Sequence, residues 1–313
     1  LINENMYDLV IIGGGPAGAA AAVYAARKQL KSLIIAEEFG GQSMVSETIY
    51  NWIGTPEISG ADLAKSFKEH VEYYKGEYLD MEIGDRVEGV EKTSEGFTVK
   101  TKNGKDIQTK TVLVTSGSGR RKLPESVKGS AELEHKGLTY CASCDGPLFS
   151  GQDVVVVGGG NAGFETAAQL LAYTKSVTLL HRSAEFNADE ITVKKVLSHP
   201  NMTAITNANI SEVMGDKFVS GIKYKDENGE EKELAVTGVF VEIGQIPNTQ
   251  FVDGVVEFDD YKRVKIDPMT QQSSVKGIWA AGDCTSILYH QNNIAAGDAV
   301  KAIEDIYKEL HTK

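Results

Sequence analysis

Short continuous apolar runs alternate along this chain with glycine-rich breaks, and twice the break opens straight into a stretch with helical character. Leu9-Val-Ile-Ile12 is a β-branched run of the kind that forms a strand buried on both faces. Gly13-Gly-Gly-Pro-Ala-Gly18 follows at once, then Ala19–Ala26, whose small side chains let a helix lie close against the strand. The same grammar returns as Val154–Val157, Gly158-Gly-Gly-Asn-Ala-Gly163 and Phe164–Leu171. Two copies in one chain predict two strand–loop–helix units of a parallel α/β sheet.

Two further runs end in glycine. Thr111-Val-Leu-Val-Thr-Ser-Gly117 closes the first segment, and Gly277-Ile-Trp-Ala-Ala-Gly-Asp283 comes late. After the latter, Asn292–Leu310 carries a helical apolar face of Ile294, Val300, Ile303, Ile306, Tyr307 and Leu310. Arg86–Val90 and Phe97–Thr101 read as antiparallel strands, as do Ile210–Val213 and Gly221–Lys225 with a turn at Asn228-Gly229. The expected fold is therefore α/β: two dinucleotide-binding, Rossmann-like three-layer domains, each with a small β insertion. The C-terminal segment is expected to complete the first domain, making it discontinuous.

Each glycine loop fits Gly-x-Gly-x-x-Gly. The first glycine serves the tight turn, the second the approach of a pyrophosphate, and the third close packing of helix on strand. The free amides and partial positive charge of the helix N-terminus suit phosphate. Glycine-rich turns also form without ligands, but two in the same strand–loop–helix frame favour dinucleotide binding at both. Glu37, at the end of Leu33–Ala36, stands where a carboxylate would hold a ribose hydroxyl, with Glu38 beside it. A solvated strand-end acid is the plain alternative. Asp283 is placed to accept hydrogen bonds from a polyol, and a helix starting near Asn292 would turn its positive end on a developing anion.

At 313 residues the chain has length for two domains with their own cores. Its 32 basic and 44 acidic side chains give a net charge of −12, which argues against a nucleic-acid phosphate binder. No apolar run reaches the roughly 18 residues of a membrane span. The first residues, Leu1–Asp8, lack the apolar core of a secretory signal, so a cytoplasmic location is expected; Met6 is a candidate initiator.

Three cysteines do not make a disulfide framework, but two of them form Cys141-Ala-Ser-Cys144. Cysteines three apart can close a small disulfide ring and exchange with other thiols. The competing reading is half a zinc site, for which the remaining Cys284 and the six histidines supply no second pair. No metal is therefore expected. Asp145 is the candidate proton donor and acceptor, with turn capping as its plain alternative. Cys284 reads as a small buried residue. Two dinucleotide sites and a dithiol define an electron path for which flavin is the suitable intermediary.

These residues resemble the low-molecular-weight thioredoxin reductases over essentially the whole chain, and still more closely the reductase portion of the alkyl hydroperoxide reductase flavoprotein subunit. The matching segments are Gly13–Gly18, Phe39-Gly-Gly-Gln42, Tyr50-Asn51, Thr115-Ser-Gly117, Thr139–Phe149, Gly158–Gly163, Gly238–Thr249 and Ala281-Gly-Asp-Cys284. The resemblance implies FAD at the first loop, held by Gly13, Gly15, Pro16, Ala17, Gly18, Glu37, Glu38, Gly41, Gln42, Asn51 and Val87. Ser116, Gly117, Gly282, Asp283, His290, Gln291 and Asn292 complete that set. It implies NADH or NADPH at Gly158, Gly160, Asn161, Ala162, Gly163, His181, Arg182, Ile243 and Gly244. Cys144 would face the flavin and Cys141 would attack the partner, a thioredoxin-like or glutaredoxin-like protein disulfide. The family's two domains rotate between two arrangements, and its members are homodimers. An FAD domain of residues 1–121 and 249–313 and an NAD(P)H domain of 122–248 are expected on this basis, with links near Arg120-Arg121-Lys122 and Pro247-Asn248-Thr249.

Two departures stand out. The N-terminal domain of the hydroperoxide reductase flavoprotein is not expected, because Tyr7 already opens the first strand, and this favours a separate carrier. Family members using NADPH carry His-Arg-Arg-x-x-x-Arg, whereas His181-Arg182-Ser183-Ala184-Glu185-Phe186-Asn187 keeps one arginine of three. The acid that would hold a 2′-hydroxyl is missing as well, leaving the balance slightly toward NADH. The sequence thus reads as an FAD-dependent pyridine nucleotide-disulfide oxidoreductase. The alternatives are a reductase of a peroxiredoxin- or glutaredoxin-like carrier, a variant fed by ferredoxin or another donor, and a redox-sensing flavoprotein without turnover.

Overall fold

The computed structural model describes residues 6–46 and 48–312. Residues 1–5, on which the reading of the chain's start rests, lie outside the described residues. The chain divides into two compact units, Leu1–Gly119 with Ile246–Lys313, and Arg120–Gln245.

The first unit begins with β1 (Tyr7–Gly14), α1 (Pro16–Arg27), β2 (Ser32–Phe39), α2 (Gly60–Tyr73) and β3 (Leu79–Ile83). The strands β4 (Val87–Lys92), β5 (Phe97–Thr101) and β6 (Asp106–Val114) follow. Strand order is β3-β2-β1-β6-β5-β4, with β1 parallel to β2 and β6, and β4–β5–β6 antiparallel. Alternate residues of β1 enter different cores. Leu9 and Ile11 pack with α1 and with Leu63 and Phe67 of α2, whereas Val10 and Ile12 pack with Val87, Val90 and Val99. Both faces are covered, which is why the run has no polar alternation.

The chain leaves this unit along β7 (Ser118–Arg120). The second unit contains β8 (Leu138–Thr139), α3 (Ala142–Asp145), β9 (Asp153–Val157), α4 (Asn161–Leu170), β10 (Ser176–Leu180) and α5 (Glu190–Leu197). It continues with β11 (Met202–Ile205), β12 (Asn209–Gly215), β13 (Val219–Lys225), β14 (Glu231–Leu234) and β15 (Gly238–Val241). Its main sheet is parallel throughout, in the order β11-β10-β9-β15-β8, and β12–β14 form a separate antiparallel meander. The chain returns through β16 (Gln245–Pro247) to the first unit. There β17 (Ile278–Ala280) joins β6 in parallel and α6 (Asn292–His311) packs on α1.

The crossings fall two and three residues before the expected domain boundaries at 121/122 and 248/249. Arg121 N donates to Gly244 O and Arg120 lies 3.9 Å from Glu242, so both arginines belong to the second unit. Asn248 exchanges hydrogen bonds with Ser116 and Gly117, which holds it in the first. The buried face of α6 differs in composition from the one read from its large residues. Ile303 and Ile306 are buried as expected, but Ala295, Ala299 and Ala302 make up much of that face and let α6 lie close to the alanine-rich α1. Among the described residues no helix is long and apolar enough to cross a membrane.

Candidate functional site

The five parallel strands of the first unit bring their carboxyl ends to one edge, and the first glycine loop opens from the middle one. Its glycines divide into two kinds. A Cβ on Gly13 would lie 2.4 Å from Thr115 O, and one on Gly18 only 1.8 Å from Gly13 O. Gly13 also has φ +120°. These two glycines serve the fold itself. A Cβ on Gly15 would meet nothing within 4 Å. Gly15 caps α1 without a side-chain hydrogen bond, and Pro16 occupies the first helical turn. The open ground in front of Gly15 fits a pyrophosphate, because a bare backbone there costs the protein no packing.

Of the other residues expected to hold FAD, Gly41 and Gly282 come closest to this loop. Glu37 is exposed at the end of β2, 4.0 Å from Arg86, with Glu38 next to it, and Val87 is buried at the start of β4. Gly41 (φ +56°) lies against Gly15, its Cβ position 3.5 Å from Gly15 Cα, and Gln42 is exposed beside it. A Cβ on Gly282 would lie 3.5 Å from the Ala17 Cβ and 3.2 Å from that of Ala295, so this glycine is wedged between the N-terminal turns of α1 and α6. Asp283 follows it, half-buried, three residues beyond β17.

The start of α6 is tied to the segment after β2. Asn51 Nδ2 donates to Gln291 Oε1 at 3.1 Å, Asn293 Nδ2 donates to Asn51 O at 2.7 Å, and Ser43 Oγ donates to Asn292 Oδ1 at 3.1 Å. His290 precedes this knot, and Gln291 is the N-cap of the helix, its side chain turned to Asn51 rather than to the helix amides. Ser116 is engaged elsewhere, its hydroxyl donating to Asn248 O at 2.6 Å, while Gly117 (φ +64°) faces open space.

The second loop repeats the division. A Cβ on Gly163 would lie 1.9 Å from Gly158 O and one on Gly158 2.1 Å from Glu242 O, whereas on Gly160 it would meet only Asn187 O at 3.8 Å. Asn161 and Ala162 are exposed in the first turn of α4, and Asn161 Oδ1 accepts from Asp189 N at 2.8 Å. His181 is buried and engaged at both ring nitrogens. Nδ1 accepts from Gly159 N at 3.1 Å, which assigns the proton to Nε2, 2.9 Å from Glu185 O. Its role is to brace the loop from the end of β10. Arg182 is exposed and has no ion-pair partner among the described residues. Ile243 and Gly244 (φ +113°) follow β15, across the switch point between β9 and β15 where ligands of such sheets bind.

Cys141 and Cys144 form a disulfide at the carboxyl end of β8, on the same edge of the sheet as the second loop. Cys141 caps the short helix α3, and Cys144 N donates to Cys141 Sγ at 3.2 Å. An amide aimed at that sulfur favours a negative charge on it once the bond is opened. Asp145 is half-buried; burial raises its pKa, opposed by the Thr139 hydroxyl, which donates to Oδ2, and by the charge of His135. Cys284 is fully buried, its thiol pushed up to about 11 by burial, and packs beneath Val114 and Ala281. Among the described residues no cluster of three metal-ligating side chains exists.

Three contributors escaped the sequence. Ser43 and Asn293 are polar residues on separate segments with no spacing rule to join them to Asn51. Glu242 is buried behind the second loop, accepting from Thr166 Oγ1 at 2.9 Å and facing Arg120, and burial raises its pKa. The apolar run of β15 ends just before that position, and nothing in the run marks the residue after it as a buried acid.

The family description "Pyridine nucleotide-disulphide oxidoreductase" matches residues 7–303. A Bacillus subtilis protein named NADH dehydrogenase is 40% identical over 96% of this chain and 58% of its own length. A Pseudomonas aeruginosa protein, named as the F subunit of alkyl hydroperoxide reductase, is 39% identical over 99% of this chain and 59% of its own length. The chain thus spans about three-fifths of these relatives. Thioredoxin reductase from Streptococcus pyogenes superposes with a TM-score of 0.91 at 31% identity, covering 99% of this chain and all of that one.

Proposed function

Because the chain belongs to the pyridine nucleotide-disulphide oxidoreductase family, we propose that it is an FAD-dependent enzyme that carries electrons from NAD(P)H to a protein disulfide through Cys141–Cys144. The observation that carries this reading is the pairing of two glycine loops, each with one Cβ position left open, with a disulfide in the second unit. The first unit would hold FAD, with Gly15 and Gly41 at the pyrophosphate, Glu37 at the adenosine ribose, Asp283 at the ribityl chain and the Asn51–Gln291 knot closing the site. The second unit would hold the pyridine nucleotide over Gly160, with Arg182 near its adenosine end and Ile243-Gly244 across the switch point. Bound FAD would supply hydride acceptance and the passage of an electron pair to a disulfide.

The protein's own groups manage charge and protons. The Cys144 amide supports a thiolate at Cys141, which fits Cys141 as the sulfur that attacks the partner. Burial raises the pKa of Asp145, which favours its protonated form and suits it to hand a proton to a departing thiolate. The lone Arg182, together with an inward-turned His181, supports NADH over NADPH, since a 2′-phosphate is best held by several arginine donors. A cytoplasmic homodimer serving a thioredoxin-like carrier fits this chemistry. The name of the Pseudomonas relative favours one second reading, in which the carrier serves a peroxide-reducing protein.

Anaerobic mixing of FAD-loaded protein with NADH and with NADPH tests the proposal. Loss of the oxidised flavin absorbance is expected, faster with NADH. An unchanged spectrum with both would remove the pyridine nucleotide from the function and put a ferredoxin-type donor in its place.

A further inference from the structure

The helix α6 turns two faces toward the rest of its unit. Ala295, Ala299 and Ala302 pack with α1, whereas Ile294 and Asp298, one turn apart, line a cavity of about 330 Å³. Ile266, Pro268, Ile287, Leu288 and Tyr289 supply the remaining apolar wall, together with Ser286. Leu288 and Tyr289 are themselves largely exposed, which leaves the cavity open to solvent along that loop. None of these residues belongs to the sets expected to hold FAD or the pyridine nucleotide.

The polar side of this cavity is an incompletely satisfied carboxylate. Asp298 is only 6% exposed. Lys301 Nζ lies 2.8 Å from its Oδ1 and donates to Pro268 O at 3.1 Å. Its second oxygen, Oδ2, has no hydrogen-bond partner among the described residues, whichever way the buried Gln271 amide beside it is turned. A buried acceptor without a donor is costly, and a ligand that brings the donor recovers that cost. Lys301 already balances the charge of the carboxylate. No Asp, Glu, Lys or Arg occurs between Asp283 and Asp298, so the loop offers no second charge to pair.

We propose that this cavity binds a small neutral aromatic molecule carrying one N–H or O–H donor, with its ring against Ile266, Ile287 and Ile294 and its donor on Asp298 Oδ2. Ligand sites are mostly apolar clefts of roughly 300–1,000 Å³ with a few polar groups that fix orientation. A cavity at the lower end of that range selects a molecule of one or two rings. An anion would face the unpartnered oxygen, and an ammonium would add a second cation beside Lys301, so a neutral donor fits the charges best. The inference goes beyond the proposed electron transfer and does not depend on it.

FAD-loaded protein is titrated with indole and with benzofuran, which has the same shape but a ring oxygen in place of the N–H, and binding is followed by ligand-observed NMR. Indole should bind saturably and about fivefold or more tightly than benzofuran, the difference one hydrogen bond makes. Asp298→Asn turns its amide oxygen to the Lys301 ammonium and its NH2 to the cavity. Indole should then fall to the affinity of benzofuran, with benzofuran unchanged. Ser286→Phe fills the cavity and should abolish binding of both. Absence of saturable indole binding to wild type, or equal affinities for the two probes, would overturn the proposal without recourse to any variant. An indole preference that survives Asp298→Asn, or indole binding untouched by Ser286→Phe, would also overturn it. Indole binding as expected by a protein that reduces no disulfide would support the inference while contradicting the proposed function.

Discussion

Asn51 donates to Gln291 at 3.1 Å across 240 positions of sequence, tying the segment that follows β2 to the first turn of α6. Neither residue packs a core, and the bond lies in exposed surroundings, so its contribution to stability is about 1 kcal/mol or less. Its value lies in fixing where α6 begins. Gln291→Leu should therefore lower the melting temperature little, yet weaken FAD binding about tenfold, equivalent to about 1.4 kcal/mol. Titration of apoprotein with FAD, followed by quenching of flavin fluorescence, checks this. Unaltered affinity would detach the knot from the flavin site.

The two kinds of glycine in the first loop separate folding from binding. Gly18→Ala forces a methyl to within 1.8 Å of a backbone oxygen and should cost about 3 kcal/mol or more, or prevent folding. Gly15→Ala places its methyl in open space and should change stability by less than about 0.5 kcal/mol while abolishing flavin retention. Urea midpoints and the visible spectrum of the purified variants read the two effects independently. A yellow, stable Gly15→Ala protein would contradict the placement of the pyrophosphate.

The buried Glu242 makes a pH prediction. Burial raises its pKa in the folded state, so folding favours the protonated form. Its stability contribution is complete below the unfolded carboxyl's range and is lost as pH rises through the folded value. Glu242→Gln keeps an acceptor for Thr166 and cannot ionise, so it should be more stable than wild type at pH 8, with the gap closing as pH falls toward 4. Urea denaturation at the two pH values tests the sign, and a gap that widens toward acid would contradict it.

Coenzyme choice can be probed by addition. Ser183 is exposed beside Arg182, and an arginine there would give a 2′-phosphate a second guanidinium. Ser183→Arg should lower the KM for NADPH about tenfold, about 1.4 kcal/mol, and leave that for NADH within about twofold. Equal effects on both coenzymes would place the adenosine end elsewhere.

What the sequence disclosed follows the range of each signal. Both strand–loop–helix units were legible because strand, glycines and helix lie within some twenty residues, and the open and packed glycines occupy the positions that the spacing assigns them. The third strand of the second insertion, Glu231–Leu234, was not legible, because its residues are polar and mostly exposed and lack alternation. Nor was α5, a short amphipathic helix capped by Asp189. The Ser43–Asn292 bond depends on how distant backbone comes together, and no periodicity encodes that.

The central claim is that electrons entering from a pyridine nucleotide arrive at Cys141 and Cys144. Its most direct measurement is a count of those two thiols, by mass-labelled alkylation after anaerobic incubation of the FAD-loaded protein with limiting NADH. The account predicts one pair of newly labelled sulfurs per NADH consumed, confined to Cys141 and Cys144, with Cys284 unlabelled in its buried site. NADH consumed without labelling of that pair would contradict it.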